Sequence, residues 1–429
     1  MRVDLAPPFA EGPAGALAAE VLASCVHCGM CNATCPTFRL TGDELDGPRG
    51  RIWLIKEVLE GHKASGTSRG HLDRCLSCRA CETTCPSGVE YHRLYEIGRE
   101  AAAKAAPRPL SGRLARWLIR EAFSEPARAK ALFALGRALR PVLPRGLSRK
   151  IPAPSTASRS PSPRGGGERR MELLAGCVEA AAAPHFAAAA KAVFERAGID
   201  LRPTPGVGCC GALAFHLDGR EKARALARRN LEAWSAALGA GSEAIIVPSS
   251  GCAAFIADYP DVLRDEPALA EAARGLAALV KDPVEALESA ELLAQRAPAA
   301  PRVAVHDPCT LSHGLGLSGR HAAFLARLGF SPTRVSDAHL CCGSAGAYSL
   351  LEPGFAGPLR EAKLAALTHE KPQEILTANI GCWLHLSETS PVRVRHWLEA
   401  VEEATRAGLV DPPPTSVGGG GPRRGGGGG

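Results

Sequence analysis

The hydrophobic and polar positions of the chain follow two different patterns, one in each half. In the first part, apolar residues recur every three or four positions, as they do along one face of a helix. Stretches of this kind, which predict helices, lie at 13–24, 51–60 and 91–105. In the second half, short apolar runs typical of strands lie at 171–175, 244–248, 303–306 and 374–377. Helical stretches separate these runs, at 187–196, 220–238 and 321–328. Repeated alternation of strand and helix predicts parallel α/β sheets.

Residues 110–140 combine apolar and basic positions. Leu114, Trp117 and Leu118 are apolar, and arginines such as Arg113 and Arg116 lie between them. A basic amphipathic helix can lie on an anionic lipid surface or dock on a partner. The alternative is a pair of helices that packs on a neighbouring domain and keeps its basic face in water. Of the two interpretations, we favour the packed pair.

Two segments have a composition that does not build a hydrophobic core. Residues 141–170 are rich in proline, serine and basic residues, which predicts a linker. Residues 412–429 consist mainly of glycine, with a few prolines and arginines, which predicts a disordered tail. The chain between them should therefore fold as a separate unit.

That unit contains an internal repeat, which is visible in its cysteines. They are Cys177, Cys209, Cys210, Cys252, Cys309, Cys341, Cys342 and Cys382. The second set of four follows the first at offsets of 309 − 177 = 132, 341 − 209 = 132 and 382 − 252 = 130 residues. Such a period indicates a duplicated domain. Because each set follows predicted strands, we expect its cysteines to meet at the edge where parallel sheets bind ligands.

The first part of the chain contains two further cysteine runs with identical spacing, C-x2-C-x2-C-x3-C-P. They comprise Cys25, Cys28, Cys31 and Cys35, and then Cys75, Cys78, Cys81 and Cys85. This is the spacing with which bacterial-type ferredoxins hold 4Fe–4S clusters, and there the fourth cysteine ligates the other cluster. We therefore predict one cluster on Cys25, Cys28, Cys31 and Cys85. The second is predicted on Cys75, Cys78, Cys81 and Cys35. The weaker alternatives are zinc, which uses two separated C-x2-C pairs, and a disulfide framework, which needs an oxidising compartment and usually a short chain.

Two arginines between these runs are candidates for tuning such clusters. Arg49 and Arg51 follow a turn rich in glycine and acidic residues, at the start of the predicted helix. They could donate hydrogen bonds to thiolates or sulfides. The alternative is that they are solvated residues of the first helical turn.

Composition and charge narrow the possible functions further. The 429 residues are 45% hydrophobic, which suits a globular protein with two or three domains. The formal charge of +7 treats every cysteine as neutral, and two clusters with four thiolates each would bring it close to zero. The charge is therefore weak support for nucleic-acid binding, and we expect none. We see no apolar signal core and no run long enough to span a membrane, so we expect a cytoplasmic protein.

Several motifs together resemble the iron–sulfur subunit of bacterial glycolate oxidase. The resemblance is carried by 26–38 and 42–52, by 71–78 and 81–88, and by His306-Asp-Pro-Cys-Thr310 and Thr377-Ala-Asn-Ile-Gly-Cys382. It implies an α + α/β fold, with an α-helical ferredoxin-like two-cluster domain before two tandem cysteine-rich (CCG) repeats. The implied domains are 1–110, a helical connector at 111–140, the linker at 141–170, CCG copies at 171–300 and 301–411, and the tail at 412–429.

The same resemblance implies a role in electron transfer. In such a complex, separate FAD-containing subunits oxidise glycolate, and the iron–sulfur subunit passes electrons towards the quinone pool or another acceptor. The chain would then carry two 4Fe–4S clusters and no flavin, contain no catalytic residue, and show no turnover alone. It would be cytoplasmic, or peripheral on the inner face of the cytoplasmic membrane.

One departure from the family pattern keeps alternatives open. Heterodisulfide reductases, which share CCG domains, end each domain with C-x-x-C, whereas here the copies end Cys252-Ala-Ala-Phe255 and Cys382-Trp-Leu-His385. The eight cysteines of the repeat are therefore candidates for a further cluster or for redox thiols. The alternative functions are a heterodisulfide-reductase-like catalytic subunit, or the iron–sulfur subunit of a lactate or glycerol-3-phosphate dehydrogenase.

Overall fold

A computed structural model describes residues 1–152, 169–289 and 301–407 of the chain. Most of the predicted linker at 141–170 and the whole of the predicted tail at 412–429 lie outside the described residues. Within the described ranges, no helix is both long and apolar enough to cross a membrane.

The first part of the chain forms a helical module around the two ferredoxin-type loops. Its helices are α1 (Gly12–Ser24), α2 (Pro36–Thr41), α3 (Pro48–Leu59), α4 (Gly66–Asp73), α5 (Ala80–Thr83) and α6 (Tyr91–Ala105). Short 3-10 turns at Met30–Asn32 and Glu44–Asp46 complete it. Helices α3 and α6 pack closely because Gly98 has no side chain where the two helices cross over Ile55. The apolar faces of α1, α3 and α6 form the core of the module, with Leu22, Ile55 and Leu94 fully buried.

Three helices connect this module to the rest of the chain, namely α7 (Leu110–Phe123), α8 (Pro126–Leu139) and α9 (Arg145–Ser148). Helix α8 buries Ala129 and Phe133 against Ala182 and Phe186 of the following domain. This contact agrees with the interpretation as a packed pair. Helix α7, in contrast, has no buried residue.

The first copy of the repeat is a four-stranded parallel sheet of order β2-β1-β3-β4. Its strands are β1 (Arg169–Leu173), β2 (Ile199–Pro203), β3 (Ile245–Ile246) and β4 (Val280–Lys281). Its helices are α10 (Cys177–Ala182), α11 (Pro184–Arg196), α12 (Ala212–His216), α13 (Arg220–Gly239), α14 (Ser250–Ala257), α15 (Tyr259–Val262), α16 (Pro267–Ala277) and α17 (Pro283–Leu287).

The second copy repeats this arrangement, with parallel strands in the order β6-β5-β7-β8. Its strands are β5 (Arg302–His306), β6 (Ser331–Pro332), β7 (Glu374–Thr377) and β8 (Arg393–His396). Its helices are α18 (Arg320–Arg327), α19 (Tyr348–Leu351), α20 (Pro353–Thr368), α21 (Ile380–Ser387) and α22 (Trp397–Ala407), with a π-helical turn at Thr310–Gly314. A helical module followed by two parallel α/β sheets confirms the predicted fold class.

The two copies share one hydrophobic core and do not form separate globules. A single cluster of buried residues includes Phe194 and Ile246 from the first copy and Phe324, Leu376 and Trp397 from the second. Much of it lies where α11 packs against α22. The sheets are therefore held in fixed positions relative to each other.

Polar contacts attach the helical module to both copies. Arg93 forms an ion pair with Asp261 of the first copy at 2.8 Å. On the other side, Arg39 pairs with Asp337 of the second copy at 3.3 Å. The ferredoxin-type loops are thus placed against the cysteine-bearing edges of the sheets.

Candidate metal centres

The two ferredoxin-type loops have the same backbone conformation. His27 and Gly29 of the first loop have positive φ angles of 55° and 83°, and Ser77 and Arg79, at the same positions of the second, have 51° and 62°. These left-handed residues bend each loop around a cavity. Backbone N–H groups then reach the thiols, and that of Ser77 lies 3.5 Å from the Cys75 Sγ atom.

The first cavity brings together the four cysteines predicted for one cluster, and Cys81 of the other loop also lines it. The four are Cys25, Cys28, Cys31 and Cys85, in a space of about 430 Å³. Cys25 is buried, whereas Cys28 is exposed at the protein surface. Burial raises the pKa of Cys31 to about 11, and the thiols of Cys25, Cys85 and Cys28 contribute to this rise. All four sulfur atoms therefore lie within electrostatic reach of one another.

The second cavity has the reciprocal composition and a similar size. It is lined by Cys75, Cys78, Cys81 and Cys35, in a space of about 400 Å³. Cys35, Cys78 and Cys81 are buried. Burial is the main cause that raises the pKa of Cys78, and the thiol of Cys309 adds to it. The structure thus brings together each set of four cysteines that the spacing predicts.

The donor chemistry of both cavities suits iron–sulfur clusters. Among the described residues, no carboxylate lines either cavity, and each cavity contains one arginine of helix α3, Arg49 or Arg51. Thiolates, peptide N–H groups and a nearby cation are what a cluster with bridging sulfides requires. A thiol whose pKa is raised stays protonated at neutral pH, so metal binding would displace its proton.

The two arginines have different environments. Arg51 is 1% exposed and donates to the Thr37 hydroxyl at 3.0 Å, with the Cys35 Sγ atom 3.9 Å away. Burial opposes its charge, but the thiols of Cys75 and Cys35 help to raise its pKa. Arg49 is more exposed and bonds Glu44 at 2.6 Å. The interpretation as a cysteine-directed donor therefore suits Arg51 better than Arg49.

One tyrosine and one cysteine lie between the two cavities. Tyr91 and Cys81 line both of them. The Tyr91 hydroxyl is 3.6 Å from the Cys75 Sγ atom, and its ring stacks on Tyr95 at a centroid distance of 5.7 Å. This position could not be predicted from the sequence, where Tyr91 is visible only as the first residue of a predicted helix.

In the first CCG copy, the four cysteines meet beyond the carboxyl ends of the strands. Cys177 begins α10 after β1, Cys209 and Cys210 follow β2, and Cys252 lies in α14 after β3. The Sγ atoms of Cys177 and Cys209 are 3.2 Å apart. The thiols of Cys209 and Cys252 lie near that of Cys210 and help to raise its pKa. The four thiols therefore form a continuous chain.

The second copy has the same chain of thiols. Cys309 and Cys341 have Sγ atoms 3.7 Å apart, and Cys342 and Cys382 have theirs 3.3 Å apart. Gly343, which follows the double cysteine, has a φ angle of 88°, and a Cβ atom there would lie 2.8 Å from the Ala356 carbonyl oxygen. Glycine is therefore required after the double cysteine, and the repeat preserves it.

The second set lies directly against the helical module. Cys78 packs in one buried cluster with Cys341, Tyr348 and Leu359, and Cys309 lies beside them. Tyr348 also donates from its hydroxyl to the Arg74 carbonyl oxygen at 3.1 Å. The second ferredoxin-type cavity and the second CCG cysteine set are thus neighbours.

Comparison with known proteins agrees with this organisation. Residues 21–89 match the family described as a 4Fe-4S dicluster domain. Residues 171–257 and 303–387 each match the family described as a cysteine-rich domain, or CCG. These ranges contain all sixteen cysteines of the chain.

Three relatives illustrate how far the similarity extends. The glycolate oxidase iron–sulfur subunit of Escherichia coli K12 is 46% identical, over 94% of this chain and 99% of its own. A protein of Bacillus subtilis 168 named "Probable glycolate oxidase iron-sulfur subunit" is 29% identical, over 85% of this chain and 88% of its own. Lactate utilization protein A of Exiguobacterium is 22% identical, over 55% of this chain and 98% of its own.

Proposed function

The chain belongs to the family of glycolate oxidase iron–sulfur subunits, and on this premise we propose that it transfers electrons within a flavin-dependent dehydrogenase of 2-hydroxy acids. Glycolate is the proposed substrate of the complex. FAD-containing subunits of the same complex are the proposed partners. The observation that carries the proposal is the arrangement of the two ferredoxin-type cysteine sets. One includes Cys28, which is exposed at the protein surface, and the other includes Cys78, which is buried.

We propose that the helical module holds two 4Fe–4S clusters. Their ligands would be Cys25, Cys28, Cys31 and Cys85 for one, and Cys75, Cys78, Cys81 and Cys35 for the other. Such clusters accept and release one electron at a time, which suits a subunit between a flavin and a second acceptor. Arg51 is buried near the second cavity, and its positive charge would favour the reduced, more negatively charged cluster and so raise the reduction potential, whereas burial of the site would lower it.

The domain division at 1–110, 111–140, 141–170, 171–300, 301–411 and 412–429 is part of this proposal. Two element boundaries support it, since α7 begins at Leu110 and β5 begins at Arg302. In this division, the module carries the electron-transfer centres and the repeat is the platform on which the module is fixed.

The overall reaction balances with quinone as the final acceptor. Oxidation of glycolate to glyoxylate breaks one C–H and one O–H bond and releases two electrons and two protons. The flavin takes up the hydride, and the electrons then leave one at a time. Quinone accepts two electrons and two protons and becomes quinol. The subunit described here would carry electrons only.

We further propose that helices α7 and α8 attach the complex to the inner face of the cytoplasmic membrane. Several apolar side chains of this hairpin are exposed, namely Leu110, Leu114, Trp117, Leu118, Leu132, Leu135 and Leu139. Arginines lie between them along the chain, which suits a surface of anionic lipid. Helix α8 also packs on the first copy through Phe133, so the hairpin is fixed to the protein on that side.

Two features disfavour the alternative functions. The C-x-x-C ending of heterodisulfide reductases is absent from both copies of this sequence. The lactate utilization relative covers only 55% of this chain, whereas the glycolate oxidase relative covers 94%. Glycolate is therefore a better-supported substrate of the complex than lactate.

Reconstitution of the complex tests the proposal. The chain would be purified anaerobically and combined with FAD-containing glycolate oxidase subunits, and glycolate-dependent reduction of a short-chain quinone would be measured. We expect no turnover by the chain alone and quinone reduction by the combination. Cys75→Ala, which removes one proposed ligand, should abolish quinone reduction and leave dye reduction by the flavin subunits intact.

Two results would contradict the proposal. One is equal quinone reduction by the flavin subunits with and without the chain. The other is a preference for lactate or glycerol-3-phosphate over glycolate in the combined complex, which would assign the chain to a different dehydrogenase.

A further inference from the structure

A histidine lies among the cysteines of the second CCG copy. His306 ends strand β5 and is 3% exposed. One of its ring nitrogens and the Sγ atoms of Cys342 and Cys382 all lie within 4.8 Å of one another. A buried imidazole beside two thiols is a donor set that binds soft transition metals such as iron and zinc.

The neighbouring strand engages one of the two ring nitrogens of His306. Thr377 lies opposite His306 in the parallel pairing of β5 with β7. Its hydroxyl shares a hydrogen bond of 2.9 Å with the His306 Nδ1 atom. Nε2 is therefore the atom left for a metal, in the arrangement in which an outer hydrogen bond orients a ligating histidine.

The first copy has apolar residues at both positions. The repeat offsets place Leu174 at the position of His306, since 306 − 174 = 132, and Val247 at that of Thr377, since 377 − 247 = 130. Leu174 and Val247 are buried in one apolar cluster that includes Cys210 and is contacted by Cys252. The first copy thus has equivalent thiols, but apolar side chains stand where the second copy has a ligating nitrogen.

The charged residues around the two cysteine sets also differ, and this difference again favours metal binding in the second copy. Lys363 is buried beside the second set, where it donates to the Asp337 and Ala338 carbonyl oxygens at 3.0 and 3.1 Å. Gly211 lies against Ala223 of α13, and its counterpart Gly343 lies against Ala356 of α20. Helices α13 and α20 are therefore equivalent, at an offset of 356 − 223 = 133 residues. Asn230, a neutral residue, then corresponds to Lys363.

Two charged side chains near the thiols of the first copy are engaged with other residues of the protein. Lys222 lies near Cys209, and its ammonium bonds Glu121 at 2.7 Å. The buried Glu179 carboxyl, two residues after Cys177, accepts from the Ser249 hydroxyl at 2.6 Å. Anionic thiolates are therefore better compensated in the second copy than in the first.

His385 does not take the place of His306. It occupies the final position of the C-x-x-C pattern in the second copy, and its Nε2 atom is 3.2 Å from the Ala356 carbonyl oxygen. That nitrogen is engaged with the backbone of α20. The structure therefore offers His306 as the nitrogen donor of this set.

We propose that the second CCG copy, and not the first, holds a metal centre, with His306 as a ligand beside the thiolates of Cys342 and Cys382. The metal is a soft transition metal, iron or zinc. This inference rests on the proposed function, because it places the centre next to Cys78 of the second ferredoxin-type site. An iron centre there would add a further electron-transfer centre next to the second ferredoxin-type site, whereas zinc would stabilise the folded domain.

Metal analysis of the anaerobically purified holoprotein tests the proposal. Iron, zinc and acid-labile sulfide per chain would be compared between the natural sequence, His306→Leu, and the double variant His306→Leu/Thr377→Val. The double variant gives the second copy the two apolar residues that the first copy has at the equivalent positions. We expect both variants to lose the metal of this centre and to keep about eight irons in the helical module.

A matched variant in the first copy controls for general damage. Cys210→Ala should leave the metal content unchanged, whereas Cys342→Ala, at the equivalent position, should lower it as His306→Leu does. Direct ligation has its own measurement. For iron, pulsed EPR of protein labelled with ¹⁵N-histidine should show a coupling that disappears in His306→Leu, and for zinc, X-ray absorption should show one nitrogen neighbour fewer.

The outcomes separate this inference from the proposed function. If the helical module holds about eight irons but His306→Leu changes neither the remaining metal nor the nitrogen coupling, the inference is wrong and the proposed function stands. The inference is also wrong if Cys210→Ala lowers the metal content as much as Cys342→Ala does. If the natural protein lacks the irons of the module, the proposed function itself fails.

Discussion

The fourth cysteine of each ferredoxin-type loop lines the cavity of the other loop. Cys35 lies with the second loop and Cys85 with the first. The exchange has a simple cause, because each fourth cysteine follows a three-residue gap and precedes Pro36 or Pro86, where a new chain direction begins. It leads to a prediction that distinguishes exchanged from in-loop ligation.

We expect Cys35→Ala to resemble Cys75→Ala, and Cys85→Ala to resemble Cys25→Ala. Each change removes a ligand, so each variant should lose about four irons and retain the EPR spectrum of the remaining reduced cluster. The measurement is iron content together with EPR of the dithionite-reduced samples. In-loop ligation would instead give Cys35→Ala the same spectrum as Cys25→Ala.

At the scale of residues, the sequence predicts which cysteines lie together, but it predicts poorly which other side chains contact them. Cysteine spacing is a local property, so the cysteine sets could be grouped without a structure. Tyr91 reaches the thiols only through packing between distant elements, and nothing in its own segment indicates it. His306 lies three residues before Cys309, but its position beside Cys342 and Cys382 depends on the fold. Arg51 was a candidate because it lies between the loops, and its burial depends on the fold.

At the scale of elements, the apolar central strands could be predicted and the edge strands could not. The four apolar runs correspond to β1, β3, β5 and β7, which occupy the centres of the two sheets. The edge strands contain few apolar residues, since β4 is Val280–Lys281, β6 is Ser331–Pro332, and polar residues alternate with apolar ones in β2 and β8. An edge strand has one paired side and can be short and polar, so it leaves little pattern in the sequence.

The contact between α3 and α6 yields a prediction about stability. Gly98→Ala should destabilise the module by about 1–3 kcal/mol, because the new methyl group would overlap the buried Ile55 side chain. Gly275→Ala is the matched control, since that position on α16 has no atom within 4 Å. It should stabilise the protein slightly, by about 0.5–1 kcal/mol. Thermal unfolding under anaerobic conditions measures both, and a loss in the control would refute this explanation.

The hairpin of α7 and α8 yields a prediction about membrane binding. Trp117→Glu/Leu118→Glu removes two side chains that are 49% and 52% exposed. Binding to vesicles that contain phosphatidylglycerol should fall at least about tenfold, because each apolar side chain contributes about 1.5–3 kcal/mol on burial. Co-sedimentation measures the change. Leu279→Glu/Leu350→Glu adds the same charge at exposed apolar positions of the CCG copies and should have little effect.

At the scale of the whole molecule, the repeat period predicts two similar units but not how they join. The shared core in which α11 packs against α22 is a tertiary feature, to which both copies contribute apolar faces. A buried ionic contact lies at this junction. His321 on α18 of the second copy has its Nε2 atom 3.0 Å from Asp282 Oδ1 of the first copy. Its Nδ1 atom lies 3.7 Å from Asp307 Oδ1.

This contact should make the junction of the copies sensitive to pH. Burial alone would lower the pKa of His321, but the carboxylates of Asp282 and Asp307 outweigh it and raise the pKa to about 9. A pKa raised in the folded state means that the stabilisation is complete below the ordinary value of about 6.5 and is lost as pH rises towards 9. Alkaline conditions should therefore loosen the junction.

Replacement of the histidine by a residue that carries no charge tests this directly. His321→Gln should lower the unfolding temperature by about 5 °C or more near pH 6, and the difference from the natural protein should shrink as pH approaches about 9.5. His62→Gln is the control, because His62 is exposed on the helical module, and it should change nothing at either pH. A difference for His321→Gln that stayed constant across this range would show that the ring packs against Trp397 without contributing its charge. The charge of His321 would then add nothing to the stability of the junction.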